Sequence, residues 1–308
     1  MIIKKPKFWD QKKPNFFAYL LIPLSKIVTI YSLLKNKNVL EFPNIRTICV
    51  GNIYIGGTGK TPLSIKISEL LNSKGIKTTV LKKFYSEQKD EQLLIKSRTN
   101  LISKRSRKDC SNEAINKNFK YAIFDDGLQD RSIKYDIKIC CFNSYNWIGN
   151  GCVIPAGPLR EKISSLKNID IVFLNGPNIN NEEIREKILK IKNNIKIFEG
   201  KYEIENIEKF DLSKNYIAFS GIGNPENFYF TLKENRFKIT KNFSFPDHYN
   251  YKKNEIENIK KFAHTNNLKI VTTEKDYLRI SKELRNNINY IKMDLDISDK
   301  KTFLDLIS

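Results

Sequence analysis

The feature that most constrains the fold of this chain is a short glycine-rich segment, VGNIYIGGTGKTP, which begins at Val50. The apolar run IRTICV comes directly before it and predicts a buried strand, while the residues from Thr61 to Ser73 predict a helix. Glycines between a strand and a helix let the backbone approach phosphate oxygens, and the start of the helix favours negative charge. The segment therefore predicts a phosphate-binding loop in an α/β fold.

Individual residues of this loop have expected roles in binding ATP. Lys60 would reach the β- and γ-phosphates, and the Thr61 hydroxyl would coordinate Mg²⁺. The residues expected to bind the nucleotide are Gly56, Gly57, Thr58, Gly59, Lys60 and Thr61. The loop is a variant, because the pattern G-x-x-x-x-G-K-[ST] asks for glycine where this chain has Tyr54. Partitioning and septum-positioning ATPases also carry GGTGKT, but with an additional lysine where this chain has Ile55.

Short apolar runs alternate with helical segments along most of the chain. KTTVL, YAIF, IKICCF and IDIVFL follow the loop in order, and a second block begins near Asn215 with YIAFSGIGNPENF and KIVTTEKDYL. This alternation predicts an α/β fold with a P-loop NTPase-like parallel sheet and a second, smaller α/β lobe. We expect a membrane-associated helix in residues 1–40, a catalytic domain in 41–197 and the second lobe in 198–308. The polar stretch from Phe84 to Asn118 is expected to be a long loop with some helix.

The first forty residues differ in composition from the rest. Residues 16–34 are mostly apolar, but Pro23 and Lys26 interrupt them. Because a membrane-spanning helix needs about 20 apolar residues, a helix that lies in the membrane interface, flanked by lysines and Trp9, fits better. A helix packed on the body of the protein is the alternative.

The charge balance and the cysteines limit the partners less sharply. The chain has 54 basic and 34 acidic residues and a net charge of +20, which attracts polyanions such as an anionic membrane surface. A compositional bias toward Lys and Asn explains the excess equally well. No nucleic-acid-binding motif accompanies it, so no nucleic acid is expected as a partner. Five cysteines without a CxxC pair or metal-ligand spacing indicate a reducing compartment and no structural zinc.

The segment YAIFDDGLQD places Asp125 and Asp126 at the end of an apolar strand. P-loop enzymes keep a metal-binding carboxylate at the C-terminal end of such a strand. These two carboxylates are therefore candidate Mg²⁺ ligands, together with Thr61. A regulatory P-loop ATPase or GTPase acting at the membrane would share this arrangement, and it is the alternative to a kinase.

Six motifs follow one another along the chain. They are GGTGKTP at Gly56, DDGLQ at Asp125, IPAGPLRE at Ile154, SGIGNPENF at Ser220, FPDHYNY at Phe245 and TTEKD at Thr272. In this order they resemble the motifs of the tetraacyldisaccharide 4'-kinases of lipid A synthesis. The resemblance implies transfer of the ATP γ-phosphate to the 4'-hydroxyl of a tetraacyldisaccharide 1-phosphate, with Mg²⁺ as cofactor. It also implies a location on the cytoplasmic face of the inner membrane, and we expect a monomer.

The resemblance implies roles for residues outside the glycine loop. Gln129 would accompany the two aspartates of DDGLQ. Arg160 would neutralise phosphate charge, and Glu161 would lie near the metal. Asp90, in KDEQ, would act as the base toward the sugar hydroxyl, and His248 of FPDHYNY would support it.

The chain departs from the family pattern mainly on the side of the acceptor. The family's SRGYG-like segment after the second strand is KKFYS here, without its glycines. KDEQ lacks the Gly and Pro of the family's GDEP, and Asp130 stands where the family commonly has His. We therefore expect the donor side to be intact and the lipid acceptor to be held differently, or the chain to be a trimmed member of the family.

Overall fold

The computed structural model describes residues 5–34, 39–85, 89–176, 181–223, 225–247 and 249–308. The strands in these ranges are β1 (Arg46–Gly51), β2 (Thr78–Lys83), β3 (Leu101–Lys104), β4 (Tyr121–Asp125), β5 (Ile137–Asn143), β6 (Ile171–Asn175), β7 (Lys196–Ile204), β8 (Asn215–Ser220), β9 (Lys238–Ser244), β10 (Lys269–Thr273), β11 (Ile288–Ile291) and β12 (Met293–Ile297). The α-helices are α1 (Phe16–Leu34), α2 (Lys60–Ser73), α3 (Lys89–Arg98), α4 (Arg107–Asn116), α5 (Asn181–Ile191), α6 (Pro225–Glu234), α7 (Lys253–Thr265), α8 (Glu274–Arg279) and α9 (Lys300–Ile307).

Two sheets organise the part of the chain that the structure describes. The larger has eight strands in the order β12-β7-β6-β5-β1-β4-β2-β3, and β1 pairs in parallel with both β4 and β5. The smaller sheet has the order β11-β10-β8-β9, with all pairs parallel. The predicted α/β fold is confirmed. Because parallel strands end at the same edge of a sheet, the segments that follow β1, β4 and β6 converge there.

The elements around the glycine loop follow from their apolar spacing. From its second residue onward β1 is buried, as expected for the central strand of a parallel sheet. Helix α2 buries Leu63, Ile67 and Leu71, which recur every four residues and so lie on one face. The loop is thus held between a buried strand and a helix with one buried face.

The chain forms two compact units, each discontinuous in sequence. Unit 1 comprises Met1–Lys83, Ile102–Lys201 and Ile297–Ser308, and unit 2 comprises Phe84–Leu101 and Tyr202–Asp296. The eight-stranded sheet is built mainly from unit 1, and the four-stranded sheet belongs to unit 2. The domain limits 41–197 and 198–308 stay a prediction.

The stretch from Phe84 to Asn118 differs from the expected long loop. Its described residues form α3, β3 and α4, and Ser106 caps α4 by accepting a hydrogen bond from the backbone amide of Asp109. Helix α3 has a weak apolar pattern because much of its contact with α8 is made by charged side chains, such as Arg98 with Glu274. A search for apolar periodicity does not register a helix of this kind.

Helix α1 has one face on unit 1 and one face exposed. The Ser25 hydroxyl is buried, donates to the carbonyl of Val153 at 2.7 Å and accepts from the amide of Ala156 at 3.2 Å. Just before the helix, the Trp9 indole donates to the carbonyl of Pro155. Apolar side chains that are 50–76% exposed line the helix elsewhere: Phe16, Phe17, Leu20, Leu24, Ile27 and Ile30. Among the residues described, no helix has the length and apolar character needed to cross a bilayer.

Candidate active site

The glycine loop has the backbone conformation that a phosphate-binding loop requires. Gly56 and Gly59 have φ values of 131° and 82°, which lie in the left-handed region that glycine adopts without strain. A Cβ atom on Gly57 would meet nothing within 4 Å. Protein packing therefore does not demand a glycine there, and the backbone at this position is open to close approach by a ligand.

Two asparagines, missed by sequence reasoning, support the loop from below. The side-chain amide of Asn52 donates to the Thr58 hydroxyl at 2.9 Å, and that of Asn175 donates to the Thr58 carbonyl at 2.7 Å. Thr58 is buried, so its side chain serves the loop itself. The available signal was position, because Asn52 directly follows β1 and Asn175 ends β6 at the same edge of the sheet.

Asp125 is the hub of a buried network under the start of α2. Its Oδ2 accepts from the Thr61 hydroxyl at 3.0 Å and from Lys82 Nζ at 2.5 Å, while Oδ1 accepts from the Ser64 hydroxyl at 3.4 Å. The Asp125 side chain is 0% exposed. This carboxylate thus orients the hydroxyl of Thr61. Lys82 was also missed from the sequence, although it lies near the end of β2, beside β4 in the sheet.

Asp126 is the more accessible acid, at 32% exposure. Its Oδ1 lies 3.7 Å from Lys60 Nζ and 3.0 Å from a terminal nitrogen of Arg160. Burial tends to raise the pKa of Asp126, but the charges of Lys60, Arg160 and further cations outweigh it and hold this pKa below its ordinary value. Two cations expected to face phosphate are thus gathered around one carboxylate.

Gln129 connects the DDGLQ and GPLRE motifs. Its side-chain amide donates to the carbonyl of Asn52 at 2.8 Å, and its carbonyl oxygen accepts from Arg160 at 3.1 Å. Glu161 lies 3.5 Å from both the Gln129 amide and Arg131. The structure therefore brings together Lys60, Thr61, Asp125, Asp126, Gln129, Arg160 and Glu161, all in unit 1.

The oxygen atoms at this edge of the sheet suit a hard cation that takes most of its coordinating oxygens from substrate phosphates and water. Within the ranges described, no group of three or more His, Cys, Asp or Glu side chains could hold a metal alone. Mg²⁺ is characteristically bound by one or two carboxylates plus substrate phosphates and water. The Thr61 hydroxyl and the carboxylates of Asp126 and Glu161 fit that pattern. Asp125, also expected as a ligand, is fully buried and paired with Lys82, and its role as a ligand stays a prediction.

The two acceptor-side candidates have different outcomes. Asp90 is 5% exposed and belongs to unit 2, where it forms ion pairs with Arg279 at 2.5 Å and Lys275 at 3.2 Å. His248 lies outside the described residues, so the pairing of Asp90 with His248 stays a prediction.

Comparison with known proteins matches nearly the whole chain. The model of the family "Tetraacyldisaccharide-1-P 4'-kinase" matches residues 17–308. A tetraacyldisaccharide 4'-kinase of Pelagibacter ubique is 51% identical over 98% of this chain and 96% of its own length. One from Rickettsia bellii is 35% identical over 89% of each. The fold is similar to that of "apo" form LpxK from Aquifex aeolicus in complex with ATP, with a TM-score of 0.73, 21% identity and coverage of 95% of this chain and 98% of that one.

Proposed function

The chain belongs to the tetraacyldisaccharide-1-P 4'-kinase family, and from that premise we propose how its residues carry out the family's reaction. It is a kinase of lipid A synthesis that transfers a phosphoryl group from ATP to the 4'-hydroxyl of a tetraacyldisaccharide 1-phosphate. Its relatives are kinases by name, so the alternative of a regulatory ATPase or GTPase has no support. Transfer of this kind depends mainly on positioning and on neutralising phosphate charge.

The donor half of the reaction belongs to the edge of the eight-stranded sheet. The loop from Gly56 to Thr61 binds the phosphates of ATP through its amides, and Lys60 contacts the terminal phosphates. Once ATP is bound, Lys60 and Arg160 exchange their contact with Asp126 for the more highly charged phosphates. The similar fold of a protein solved with ATP supports this assignment.

Mg²⁺ is the cofactor that the donor atoms fit. Thr61 and Asp126 would hold it, Glu161 would contribute from the GPLRE motif, and Asp125 would act behind them by orienting the Thr61 hydroxyl. Mg²⁺ held by these residues would supply positive charge beside the phosphates of ATP. Through its hydrogen bond of 3.1 Å with Arg160, Gln129 would orient this side chain toward the same phosphates.

On the acceptor side, Asp90 accepts the proton of the sugar hydroxyl as the new bond to phosphorus forms. Two cations, Arg279 and Lys275, contact this carboxylate and fix its direction. His248 would orient it or pass the proton on.

Helix α1 supports a location at the membrane. Six exposed apolar side chains on one helix, with lysines in the preceding segment, match a helix that lies in the interface of an anionic bilayer. We place the protein on the cytoplasmic face of the inner membrane, where ATP is available, as a monomer. Sedimentation velocity in detergent would test the monomer directly.

The observation that carries the proposal is the convergence of Lys60 and Arg160 on Asp126 beside the glycine loop. The test measures transfer of label from [γ-³²P]ATP to the glycolipid. We expect Lys60→Ala to lower turnover by at least about 100-fold, because a preorganised contact to the transferred group is lost. Lys74→Ala, at the other end of the same helix, is the matched control. Full turnover by Lys60→Ala would rule out the assigned phosphate site.

A further inference from the structure

We propose that Arg279 is a positioning residue for Asp90, and that the TTEKD, SGIGNP and FPDHYNY segments hold Arg279 in place. The inference rests on the proposed role of Asp90 as the base toward the sugar hydroxyl. The contacts that carry it are internal to unit 2. They give these three motifs a common structural role.

The contact between Arg279 and Asp90 is short and buried. A terminal nitrogen of Arg279, at the end of α8, donates to Asp90 Oδ2 at 2.5 Å, and both side chains are 5% exposed. Lys275, one turn earlier on α8, lies 3.2 Å from the same oxygen. Charge-assisted hydrogen bonds of this kind keep a carboxylate ionised and fix its direction. A base that must meet one hydroxyl needs both properties.

The other side of the guanidinium is held by residues from all three motifs. Its second terminal nitrogen donates to Asp276 Oδ1 at 2.8 Å and to the carbonyl of Gly221. Asp276 is fully buried and accepts from the Gly221 amide at 3.1 Å, the Tyr251 hydroxyl at 2.9 Å and the Thr273 hydroxyl at 2.7 Å. A Cβ on Gly221 would come within 3.0 Å of the Tyr251 hydroxyl. A side chain at position 221 would therefore crowd this hydroxyl. Arg279 is thus fixed by a network rather than by one contact.

The same contacts could serve only to join α3 to α8, and the fold supplies a control for that reading. Arg98 donates to Glu274 at 2.6 Å, and these side chains are 9% and 14% exposed. This pair joins the same two helices through a buried arginine and a carboxylate, and neither residue is in an ion pair with Asp90. Loss of the Arg98 pair should therefore reproduce the structural effect of losing Arg279 without the effect on the base.

The experiment compares Arg279→Gln, Arg279→Lys and Arg98→Gln in the full chain by steady-state kinetics with ATP and glycolipid. For Arg279→Gln we expect kcat to fall about 10–100-fold, because a displaced base loses most of its advantage, while KM for ATP stays near the wild-type value. Arg279→Lys keeps the charge and should recover part of kcat. Arg98→Gln should lose thermal stability but keep kcat.

The pH profile of kcat gives a readout that a structural role would not change. Among the described residues, the charged groups around this carboxylate are Arg279 and Lys275 on α8 and Glu91 on α3, with Asp276 behind Arg279. Loss of a neighbouring cation favours the protonated form of a carboxylate, so the acidic limb of Arg279→Gln should move to higher pH. Lys275 remains in place and limits the shift. In Arg279→Lys and Arg98→Gln the limb should stay near its wild-type position.

Several results would overturn the inference. Wild-type kcat and an unmoved acidic limb in folded Arg279→Gln would reduce Arg279 to a packing residue. If that variant does not fold, Arg279→Lys and Asp276→Asn take its place, and full wild-type kcat in both has the same meaning. Asp90→Asn separates the two levels. If it keeps full turnover, the proposed base is wrong, whereas if it is inactive beside normal Arg279 variants, only the positioning role is wrong.

Discussion

At the scale of single residues, the ion pair between Lys82 and Asp125 is a feature that the family motifs do not predict. Lys82 is the first residue of KKFYS, the segment that departs from the family's SRGYG pattern. It neutralises the Asp125 carboxylate, which has no exposed surface and also accepts a hydrogen bond from the Thr61 hydroxyl. The orientation of Thr61 therefore depends on a buried cation contributed by a neighbouring strand.

The first prediction concerns the stability supplied by this pair. Lys82→Met should lower the free energy of unfolding by about 3–5 kcal/mol, because it leaves a buried charge without its counter-ion. Denaturant unfolding at neutral pH measures it. The double variant with Asp125→Asn should lose less than the sum of the single losses. The control is Lys74→Met, whose surface contact with Asp305 is worth about 0–1 kcal/mol. A loss from Lys82→Met as small as that of the control would contradict the prediction.

The second prediction concerns Asp130, which stands where the family commonly has His. Burial tends to raise its pKa, but hydrogen bonds from Ser132 and the charge of Arg107, 3.0 Å away, hold the pKa below the ordinary 3.8. A depressed folded-state pKa contributes stability that is fully present above the ordinary value and is lost as the pH falls through the folded-state value. Unfolding free energies measured between pH 6 and pH 3 should therefore fall more steeply for the wild type than for Asp130→Asn. Equal slopes would refute the assignment.

At the scale of elements, α1 packs one face on the rest of unit 1 and leaves an apolar face exposed. The third prediction is that Leu20→Glu with Ile27→Glu greatly weakens sedimentation with anionic vesicles, because each charge would enter the apolar layer. Thermal stability should change little, since both side chains are exposed. Leu189→Glu, an exposed apolar position on α5, is the matched control. Undiminished vesicle binding by the double variant would show that another surface makes the contact.

The strands and helices around the glycine loop could be predicted because their signals are local. The apolar run of β1 and the four-residue spacing of α2 are sufficient to define them. Helices α3 and α4 were missed as regular elements because they lack such spacing. Ion pairs such as Arg98 with Glu274 join residues 176 positions apart, which no local pattern reveals.

The candidate site was predictable to the extent that motifs mark it. The donor-side motif residues lie in contact with one another in unit 1. Asn52, Asn175 and Lys82 could not be found this way, because their contacts depend on which strands are neighbours in the sheet. Strand order is a property of the folded chain, so residues that support a site from adjacent strands become visible only in the structure.

At the scale of the whole molecule, the residues proposed for the reaction are distributed over the two units. The donor-side residues lie in unit 1, and Asp90 with its supporting network lies in unit 2. The polypeptide passes from one unit to the other after Lys83, Leu101, Lys201 and Asp296. The insertion of residues 84–101 in unit 2 means that the candidate base is carried by a segment that leaves the eight-stranded sheet and returns to it.

The fourth prediction follows from this division. ATP at 100 times its Kd should stabilise the protein by about 2.7 kcal/mol, and hydrogen exchange should slow mainly in β1, the glycine loop and α2 of unit 1. In Lys60→Ala both effects should disappear at the same ATP concentration. Protection by ATP that is confined to unit 2 would contradict the assignment of the donor site.

For the proposed location of α1 in the membrane interface, the contacts of this helix with the protein have a consequence for catalysis. The Ser25 hydroxyl bridges Val153 and Ala156, and a few residues later the same segment supplies Arg160. The depth to which α1 inserts would then determine the distance of the residues for phosphoryl transfer from the membrane surface. An enzyme held at the membrane in this way would meet its glycolipid acceptor by diffusion in the plane of the membrane. Its rate should scale with the mole fraction of glycolipid in the leaflet and not with glycolipid per litre.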